Sequence, residues 1–277
     1  MKRLLQLEFI KLWNSKISRI IIYAYFILIC SLALIAAIKF DIGPIKFHLA
    51  EQGIFNFPYI WHLNTFFAAF FKVFLAIIIV SMTANEYSYK TIKQNLIDGL
   101  SKKEFLLSKV YMAGVFSLIS SAFIFLISLI LGLVYSDYNE LGIIFSDLSF
   151  ILAFFVKLFS FFSFCLFAGV LVKKSAYALG FMVIWQMFEG FIRGMIRWKL
   201  FDEATTDTIM GFFPLNSMWN LIKQPFTRFE AVQTVAQQIG EEVKLNYYTS
   251  LGDFVTAILW AFIFIYLSYF ILKKRDL

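Results

Sequence analysis

Six long runs of apolar residues dominate this sequence, and each run is long enough to cross a lipid bilayer. A helix needs about 20 apolar residues to span the hydrocarbon layer, which is about 30 Å thick. The runs are apolar throughout and lack the alternation of a transmembrane barrel, so they favour helices. The 61% share of hydrophobic residues also exceeds that of soluble domains. We therefore predict an all-α integral membrane protein with six transmembrane helices, near residues 20–38, 65–85, 109–134, 149–172, 176–195 and 254–272.

The positions of the basic residues indicate how the chain is oriented in its membrane. Lysine and arginine are concentrated in segments 1–19 and 85–109, at the pair Lys173 and Lys174, and near the C-terminus. The connections on the opposite side are poorer in them, and this bias places both termini in the cytoplasm. The net charge of +7 is then a topology signal and an attraction to anionic membrane lipids, with no nucleic-acid partner. We predict a multi-pass protein of the cytoplasmic (inner or plasma) membrane.

A polar island at residues 85–109 separates the second and third apolar runs. Within it Ile92, Leu96 and Leu100 recur at every fourth position, with polar residues between them. This spacing predicts a short amphipathic helix that lies on the membrane surface. Gly99 adopts positive φ without the strain that a Cβ would cause, so we expect this helix to end there.

A second helix is predicted to begin directly after the first. Ser101 is followed three residues later by Glu104, the pattern of a capping box in which each side chain binds a free backbone amide at the helix start. The helix would begin at about Lys102 and continue into the apolar stretch 110–135. The island therefore predicts a helix at the membrane surface that turns sharply into a span.

The residues of the island also follow a recognisable order. A glutamate at the inner end of a span precedes a threonine, an apolar pair, a serine, a lysine and a phenylalanine: Glu86, Thr91, Leu96, Ile97, Ser101, Lys102 or Lys103, Phe105 and Lys109. This order resembles the coupling region of type-2 ABC exporter permeases, which follows the second span and docks into a separate ATPase subunit. In that family a glycine usually precedes the threonine and a proline often lies near the serine, where this chain has Lys90 and Leu100.

The resemblance implies a docking surface for an ABC ATPase subunit. The residues that it assigns to this coupling surface are Glu86, Thr91, Ile92, Leu96, Ser101 and Lys103. It also implies that ATP and Mg²⁺ bind to the ATPase and that this chain binds no cofactor. An ordinary basic inner loop, which only orients the protein, is the other interpretation of the island.

The chain is interpreted as one transmembrane domain over residues 1–277, with the coupling region at 86–108. A helix at the membrane interface is predicted for residues 1–17, because four residues share an apolar face and include a tryptophan, which favours the headgroup region. These residues are Leu5, Phe9, Leu12 and Trp13.

Residues 196–252 form the longest polar segment and precede the last span. A loop of this length without structure is uncommon, so we predict short external helices over 212–225 and 228–245. The pair Pro214 and Leu215 also resembles the start of the external re-entrant hairpin of the same family. A plain extracellular loop is the alternative.

Four ionisable residues fall within or at the edge of the predicted spans: Lys72, Lys157, Glu189 and Arg193. Such residues are costly in hydrocarbon and usually face a bundle interior or an aqueous cavity. All four are expected at similar depth near the outer side, so they could meet, as part of a transport pathway or as an ion-pair cluster. In the alternative, the lysines extend toward the surface while Glu189 and Arg193 pair along one helix.

Small residues mark one face of the third predicted span. Ser117 and Ser121 are four residues apart, as are Ser128 and Gly132. That spacing lets another helix approach closely, so we predict a packing face there. The fourth span is rich in phenylalanine, which predicts bulky packing and lipid contact.

The sequence contains no recognisable catalytic motif. No glycine is followed by lysine, so the phosphate-binding P-loop is absent, and neither a nucleophile elbow nor a zinc-protease motif occurs. His48 and His62 lie in a predicted external connection over 39–64 with few carboxylates, so we expect no metal site. We predict no catalytic residue in this chain.

These features together favour the permease subunit of an ATP-driven ABC exporter. Six spans make half of a pathway, so the chain is expected to pair with a second copy or with a related subunit. Two other classes stay open. One is a scaffold of a cell-envelope complex that transports nothing, and the other is a membrane-embedded enzyme.

Overall fold

The structure is a computed structural model, and it describes residues 2–36, 39–42, 45–48, 54–138, 140–199, 202–228 and 247–275. Its helices are α1 (Lys2–Asn14), α2 (Lys16–Ala36), α3 (Tyr59–Ser88), α4 (Thr91–Ile97), α5 (Lys102–Tyr135), α6 (Leu141–Ile144), α7 (Ser149–Val172), α8 (Ser175–Lys199), α9 (Glu203–Met210), α10 (Pro214–Asn220) and α11 (Leu251–Lys274). An antiparallel hairpin of β1 (Lys39–Ile42) and β2 (Ile45–His48) follows α2. A 3₁₀ turn at Phe226–Arg228 follows α10.

Within the described residues, five helices are long and apolar enough to cross a bilayer: α3, α5, α7 with the preceding α6, α8 and α11. Helix α2 passes the same test together with α1, which it meets at a bend of 93°. The bend occurs at Ser15, whose hydroxyl accepts a hydrogen bond from the Ser18 amide at 3.3 Å and so caps the start of α2. The prediction of a helical membrane protein is confirmed, and the described residues contain five candidate spans, or six if the bent pair of α1 and α2 is one span. The placement of α1 at the membrane surface stays a prediction.

Helix α7 is the centre of the bundle. It contacts α3, α5, α8 and α11, and 72% of its most apolar stretch is buried, against 11% for α8. Phe154, Phe162 and Phe164 are fully buried, because large rings fill the space between the surrounding helices. The phenylalanine-rich run therefore provides the packing that the sequence predicted.

The predicted small-residue face of α5 is confirmed as a packing face. Ser117, Ser121, Ser128 and Gly132 are all buried. The Ser128 hydroxyl accepts a hydrogen bond from the Asn64 side-chain amide at 2.9 Å, which joins α5 to α3.

Helices α3 and α7 pack closely at Gly169, so an added methyl group there is expected to reduce the stability of the protein. A Cβ on Gly169 would lie 3.2 Å from the Cβ of Thr83 and 3.2 Å from the carbonyl oxygen of Val80, so α3 and α7 would have to move apart by a few tenths of an ångström. We expect Gly169→Ala to destabilise the protein by about 1–3 kcal/mol, measured as a lower unfolding temperature in detergent. Gly180→Ala in α8 is the matched control, since nothing lies within 4 Å of its added Cβ. An equal loss in both variants would contradict the prediction.

The connection between α2 and α3 ends earlier than the predicted external connection over 39–64. It contains the β1–β2 hairpin, and α3 begins already at Tyr59. His62 is therefore a buried helical residue, whose Nε2 lies 2.7 Å from the Lys223 carbonyl oxygen. The apolar pattern missed this start of α3, because a polar side chain can be buried once it has a hydrogen-bond partner.

Two short helices, α9 and α10, lie between α8 and the last span, within the predicted segment 196–252. The carboxylate of Asp202 accepts a hydrogen bond from the Thr205 amide at 3.2 Å and caps α9, and this bonding to Thr205 lowers the pKa of Asp202 below its usual value. Helix α10 packs against α7, α8 and α11. The predicted polar helix over 228–245 lies outside the described residues, apart from its first residue. The external location of this end of the bundle stays a prediction.

Candidate functional site

The polar island folds into a helical hairpin at the end of the bundle opposite α10, which we call the α4 end. Helix α3 ends at Ser88, and α4 begins at Thr91. Between them Lys90 adopts a left-handed conformation with φ of 58°, a conformation that glycine adopts most easily. After this turn α4 packs against the end of α3.

The chain leaves α4 through the glycine that the sequence indicated. Gly99 has φ of 93°, its amide donates to the Leu96 carbonyl at 3.2 Å, and the Leu100 amide donates to the Asn95 carbonyl at 3.0 Å. These two bonds form a Schellman motif. The motif confirms the predicted stop, and it ends α4 at Ile97, earlier than the apolar spacing suggested.

The predicted capping box at the start of α5 is also confirmed. Ser101 Oγ accepts a hydrogen bond from the Glu104 amide at 3.2 Å, and Glu104 Oε2 accepts one from the Ser101 amide at 2.9 Å. Helix α5 begins at Lys102, as predicted, and runs for 34 residues into the bundle. Local hydrogen bonds therefore fix the turn from α4 into this span.

The two faces of α4 have different environments. Ile92 is buried, and Leu96 and Leu100 pack partly buried against the hydrophobic core. On the other face Lys93 is exposed, and Ile97 is 79% exposed. The inner face of α4 thus anchors the helix, while its outer face offers both polar and apolar groups to a partner.

Next to α4, two carboxylates and two lysines form a largely buried group that we call the Glu86 cluster: Glu8, Lys11, Glu86 and Lys109. Lys109 Nζ lies 2.5 Å from Glu8 Oε2 and also contacts Glu86 Oε1. Lys11 Nζ lies 3.0 Å from Glu86 Oε1 and 3.4 Å from Glu8 Oε1. Lys109, Glu8 and Glu86 are buried. Their charges and that of Lys11 sum to zero, and each ion has a partner, as buried charges require.

The Glu86 cluster joins four helices. Glu8 and Lys11 belong to α1, Glu86 to α3 and Lys109 to α5. Helix α4 joins through Asn95, whose Nδ2 donates to Glu86 Oε2 at 2.9 Å. Polar contacts therefore join α4, α1, α3 and α5 at this end of the bundle.

Lys11 lies in α1 at the rim of the cluster, where 44% of its side chain is exposed. Burial lowers the pKa of Lys11, but the charges of Glu8 and Glu86 together outweigh this effect and raise the pKa above its usual value. Lys11 therefore stays charged at neutral pH and completes the neutralisation of the two carboxylates.

Glu8 is a site residue that the sequence predictions did not include. It lies on the same helical face as Leu5 and Leu12, so it is an acidic residue on the apolar face of an otherwise basic helix. Acidic residues are rarely buried without a partner. A glutamate on the apolar face of this helix is therefore the signal from which a buried ion pair of Glu8 could have been predicted. Lys109 ends the recognised residue order of the island but was not among the predicted docking residues, whereas the structure places it at the centre of the cluster.

The comparison with protein families agrees with this architecture. The family described as ABC-2 family transporter protein matches residues 5–277, which include the Glu86 cluster and the last span. The chain belongs to the ABC-2 transporter family. Membrane subunits of this family are permeases that associate with an ABC ATPase and are generally not catalytic themselves. No curated protein matches the chain.

In this ABC-2 permease the six predicted docking residues differ in how far their side chains are exposed to solvent. Thr91, Ser101 and Lys103 are exposed, Leu96 is half-buried, and Glu86 and Ile92 are buried. The side chains of the two buried residues face the bundle and do not reach the outer surface of the hairpin. They therefore hold the hairpin in place rather than offer a contact to a partner. Tyr89 and Ile97 are large exposed residues of the hairpin that were not among the six predicted docking residues, although Ile97 belongs to the recognised apolar pair. Docking of an ATPase there stays a prediction.

The four ionisable residues within the spans of the permease do not pair with one another. Among the described residues, no ion pair joins any two of Lys72, Lys157, Glu189 and Arg193. Both the predicted ion-pair cluster and the alternative pairing along α8 are therefore wrong. A role for these residues in a transport pathway stays a prediction.

Aromatic rings and the segment after α8 supply the partners of these four residues instead. Lys72 Nζ lies 4.3 Å from the ring centre of Phe161, and Arg193 forms a 2.5 Å ion pair with Asp207 of α9. Lys157 and Glu189 both contact α10. The sequence offered no signal for these contacts, because backbone groups of α10 provide several of them.

Proposed function

We propose that the chain is the permease subunit of an ATP-driven ABC exporter, which moves its substrate across the cytoplasmic membrane with a separate ATPase docked on α4. The proposal rests on the construction of the α4 end, where an exposed outer face lies directly over a buried, neutral ion-pair cluster. A loop that only oriented the protein would need basic residues, but it would not need the contact between Asn95 and Glu86.

In this proposal the ATPase binds ATP and Mg²⁺, and the permease transmits movement. Closure of the ATPase would displace the outer face of α4, and Asn95 would pass the displacement to Glu86. Because Glu86 is bound to Lys109 and Lys11, the adjoining ends of α5 and α1 would move with it. Helices α3 and α5 run through the bundle, so the displacement would reach the α10 end.

A second permease subunit is proposed to pack against α8. In the structure α8 is the least covered of the five spans. Nothing lies within 4 Å of a Cβ added to Gly190 or Gly194. Gln186, one turn before Gly190 and near the middle of the helix, is exposed. Small residues at this spacing permit close contact between helices, and an amide can form a hydrogen bond across such an interface.

Docking on α4 is tested by Ile97→Glu. We expect the tagged wild-type chain, purified from its native membrane in mild detergent, to bring an ATP-binding subunit with it. The Ile97→Glu variant should retain about tenfold less of this subunit, because an apolar contact is lost and a charge takes its place. Leu141→Glu is the matched control, since Leu141 is 72% exposed in α6 at the opposite end.

Two outcomes would reject the exporter proposal in this form. Absence of any ATPase from the wild-type complex would favour a scaffold or a membrane-embedded enzyme. Full retention of the ATPase by Ile97→Glu would show that α4 is not the docking surface.

A further inference from the structure

Helix α10 has no N-terminal cap of its own. Its first residue is Pro214, and Phe213 at the capping position forms no side-chain hydrogen bond. The first amides of a helix have no partner within the helix and need one elsewhere. Here Glu189 of α8 accepts hydrogen bonds from the Leu215 amide at 3.1 Å and the Asn216 amide at 3.0 Å. A carboxylate from a neighbouring span therefore caps α10.

The other end of α10 has a charged partner of opposite sign. Lys157 Nζ of α7 donates to the Trp219 carbonyl at 3.4 Å and lies 5.1 Å from the centre of the Trp219 ring. Lys157 is 1% exposed and Glu189 is 3% exposed. Water therefore screens neither charge, and both act on α10 at close range.

The two charges match the dipole of the helix. A helix has partial positive charge at its N-terminus, where Glu189 lies, and partial negative charge at its C-terminus, where Lys157 lies. We propose that Glu189 and Lys157 are positioning residues, which clamp α10 against the bundle through its two ends rather than through each other. Loss of either charge releases the α9–α10 segment while the bundle itself stays folded.

The clamp goes beyond the proposed function, because it holds whether or not an ATPase binds at the α4 end. Three uncharged hydrogen bonds also tie the same segment down, from Trp260 to the Phe212 carbonyl, from Thr249 to the Leu221 carbonyl, and between His62 and the Lys223 carbonyl. Arg193 of α8 binds Asn216 and Asp207 as well, but the ion pair with Asp207 is exposed and contributes little. None of these contacts depends on the sign of the charges at the ends of α10, so reversing that sign tests the clamp alone.

A buried serine of α10 provides the probe. Ser217 is fully buried, so a Ser217→Cys variant of the full chain, in lipid nanodiscs and without Cys30 and Cys165, should react slowly with a polar maleimide. We expect Lys157→Met and Glu189→Gln each to raise this labelling rate at least about tenfold, because a hydrogen bond to a charged group is lost. Glu203→Gln is the matched control, since Glu203 is an exposed acid of the same segment and its 3.2 Å ion pair with Arg197 of α8 is exposed as well. Exposed ion pairs contribute little, so this variant should leave the rate unchanged.

The charge-swapped double variant Glu189→Lys with Lys157→Glu decides between two mechanisms. It keeps the net charge and would preserve any direct attraction between the two residues, but it places each charge at the wrong end of α10. We expect labelling as fast as in the single variants, or faster. Slow labelling in the swapped variant, or slow labelling in both single variants, would overturn the proposal.

A reporter in the core separates local release from unfolding. Ser160 is fully buried in α7, where its hydroxyl donates to the Ala257 carbonyl at 3.0 Å. Ser160→Cys, placed in each clamp variant, should label as slowly as in the parent. If it labels as fast as Ser217→Cys does, the whole bundle has opened, and the proposal of a local clamp is rejected.

Discussion

Lys109→Met is expected to destabilise the protein by about 3–5 kcal/mol, because it leaves the carboxylates of Glu8 and Glu86 buried with only Lys11 to balance them. Lys109 is fully buried and contacts both carboxylates. Methionine has a similar length and fills most of the vacated space, so the loss reports the charge rather than a cavity. The measurement is the free energy of unfolding in detergent at constant pH.

Two variants control this prediction. Lys103→Met removes an exposed lysine from the first turn of the same helix, and we expect a change within about 0.5 kcal/mol. The double variant Glu8→Gln with Lys109→Met should recover part of the lost stability, since it removes one of the unbalanced charges. If Lys109→Met unfolds as the wild type does, the ion pairs of the cluster contribute little to stability.

The correct predictions concern residues that are close together in the chain. The stop at Gly99 follows from its missing Cβ, and the start of α5 follows from Ser101 and Glu104, which are three residues apart. The spans follow from length and apolarity, because a bilayer imposes both on any helix that crosses it. None of these inferences requires knowledge of how the helices pack.

The missed features depend on partners that are distant in the chain. Glu8 and Lys109 are 101 residues apart, and Glu189 binds amides that lie 26 and 27 residues further on. The sequence indicates that buried charges need partners, and it correctly singled out Lys157 and Glu189 as such charges. It does not indicate which partner is used, because every residue except proline has a backbone amide that can serve.

Both ends of the bundle hold a short helix by the same physical means. Helices α4 and α10 have seven residues each, which is too short for a stable helix without outside support. Glu86 binds α4 through Asn95, and Glu189 binds α10 through two backbone amides. Each short helix is therefore anchored by a glutamate from a long span. Movement of the short helix should displace that span, and movement of the span should displace the short helix.

Asn95→Leu is expected to uncouple α4 from the bundle while leaving the ion pairs of the Glu86 cluster intact. Leucine has a similar size but cannot donate to Glu86, so one hydrogen bond to a charged group is lost, worth about 1.5–3 kcal/mol. The ATPase should still bind, because the outer face of α4 is unchanged. Under the proposed function, ATP should then shift the conformation of the bundle about tenfold less than in the wild type.

The neighbouring amide provides the control for this experiment. Gln94 lies beside Asn95 on α4, but its Nε2 donates to the exposed Asp98 at 3.2 Å, so Gln94→Leu should behave as the wild type. The readout is the change in tryptophan fluorescence when ATP is added to the complex in nanodiscs, since the tryptophans at 61, 219 and 260 lie toward the α10 end. If Asn95→Leu keeps the full change, α4 transmits its displacement through apolar contacts such as Ile92. If both variants lose it equally, the effect belongs to the outer surface of α4, and Asn95 has no special role in coupling.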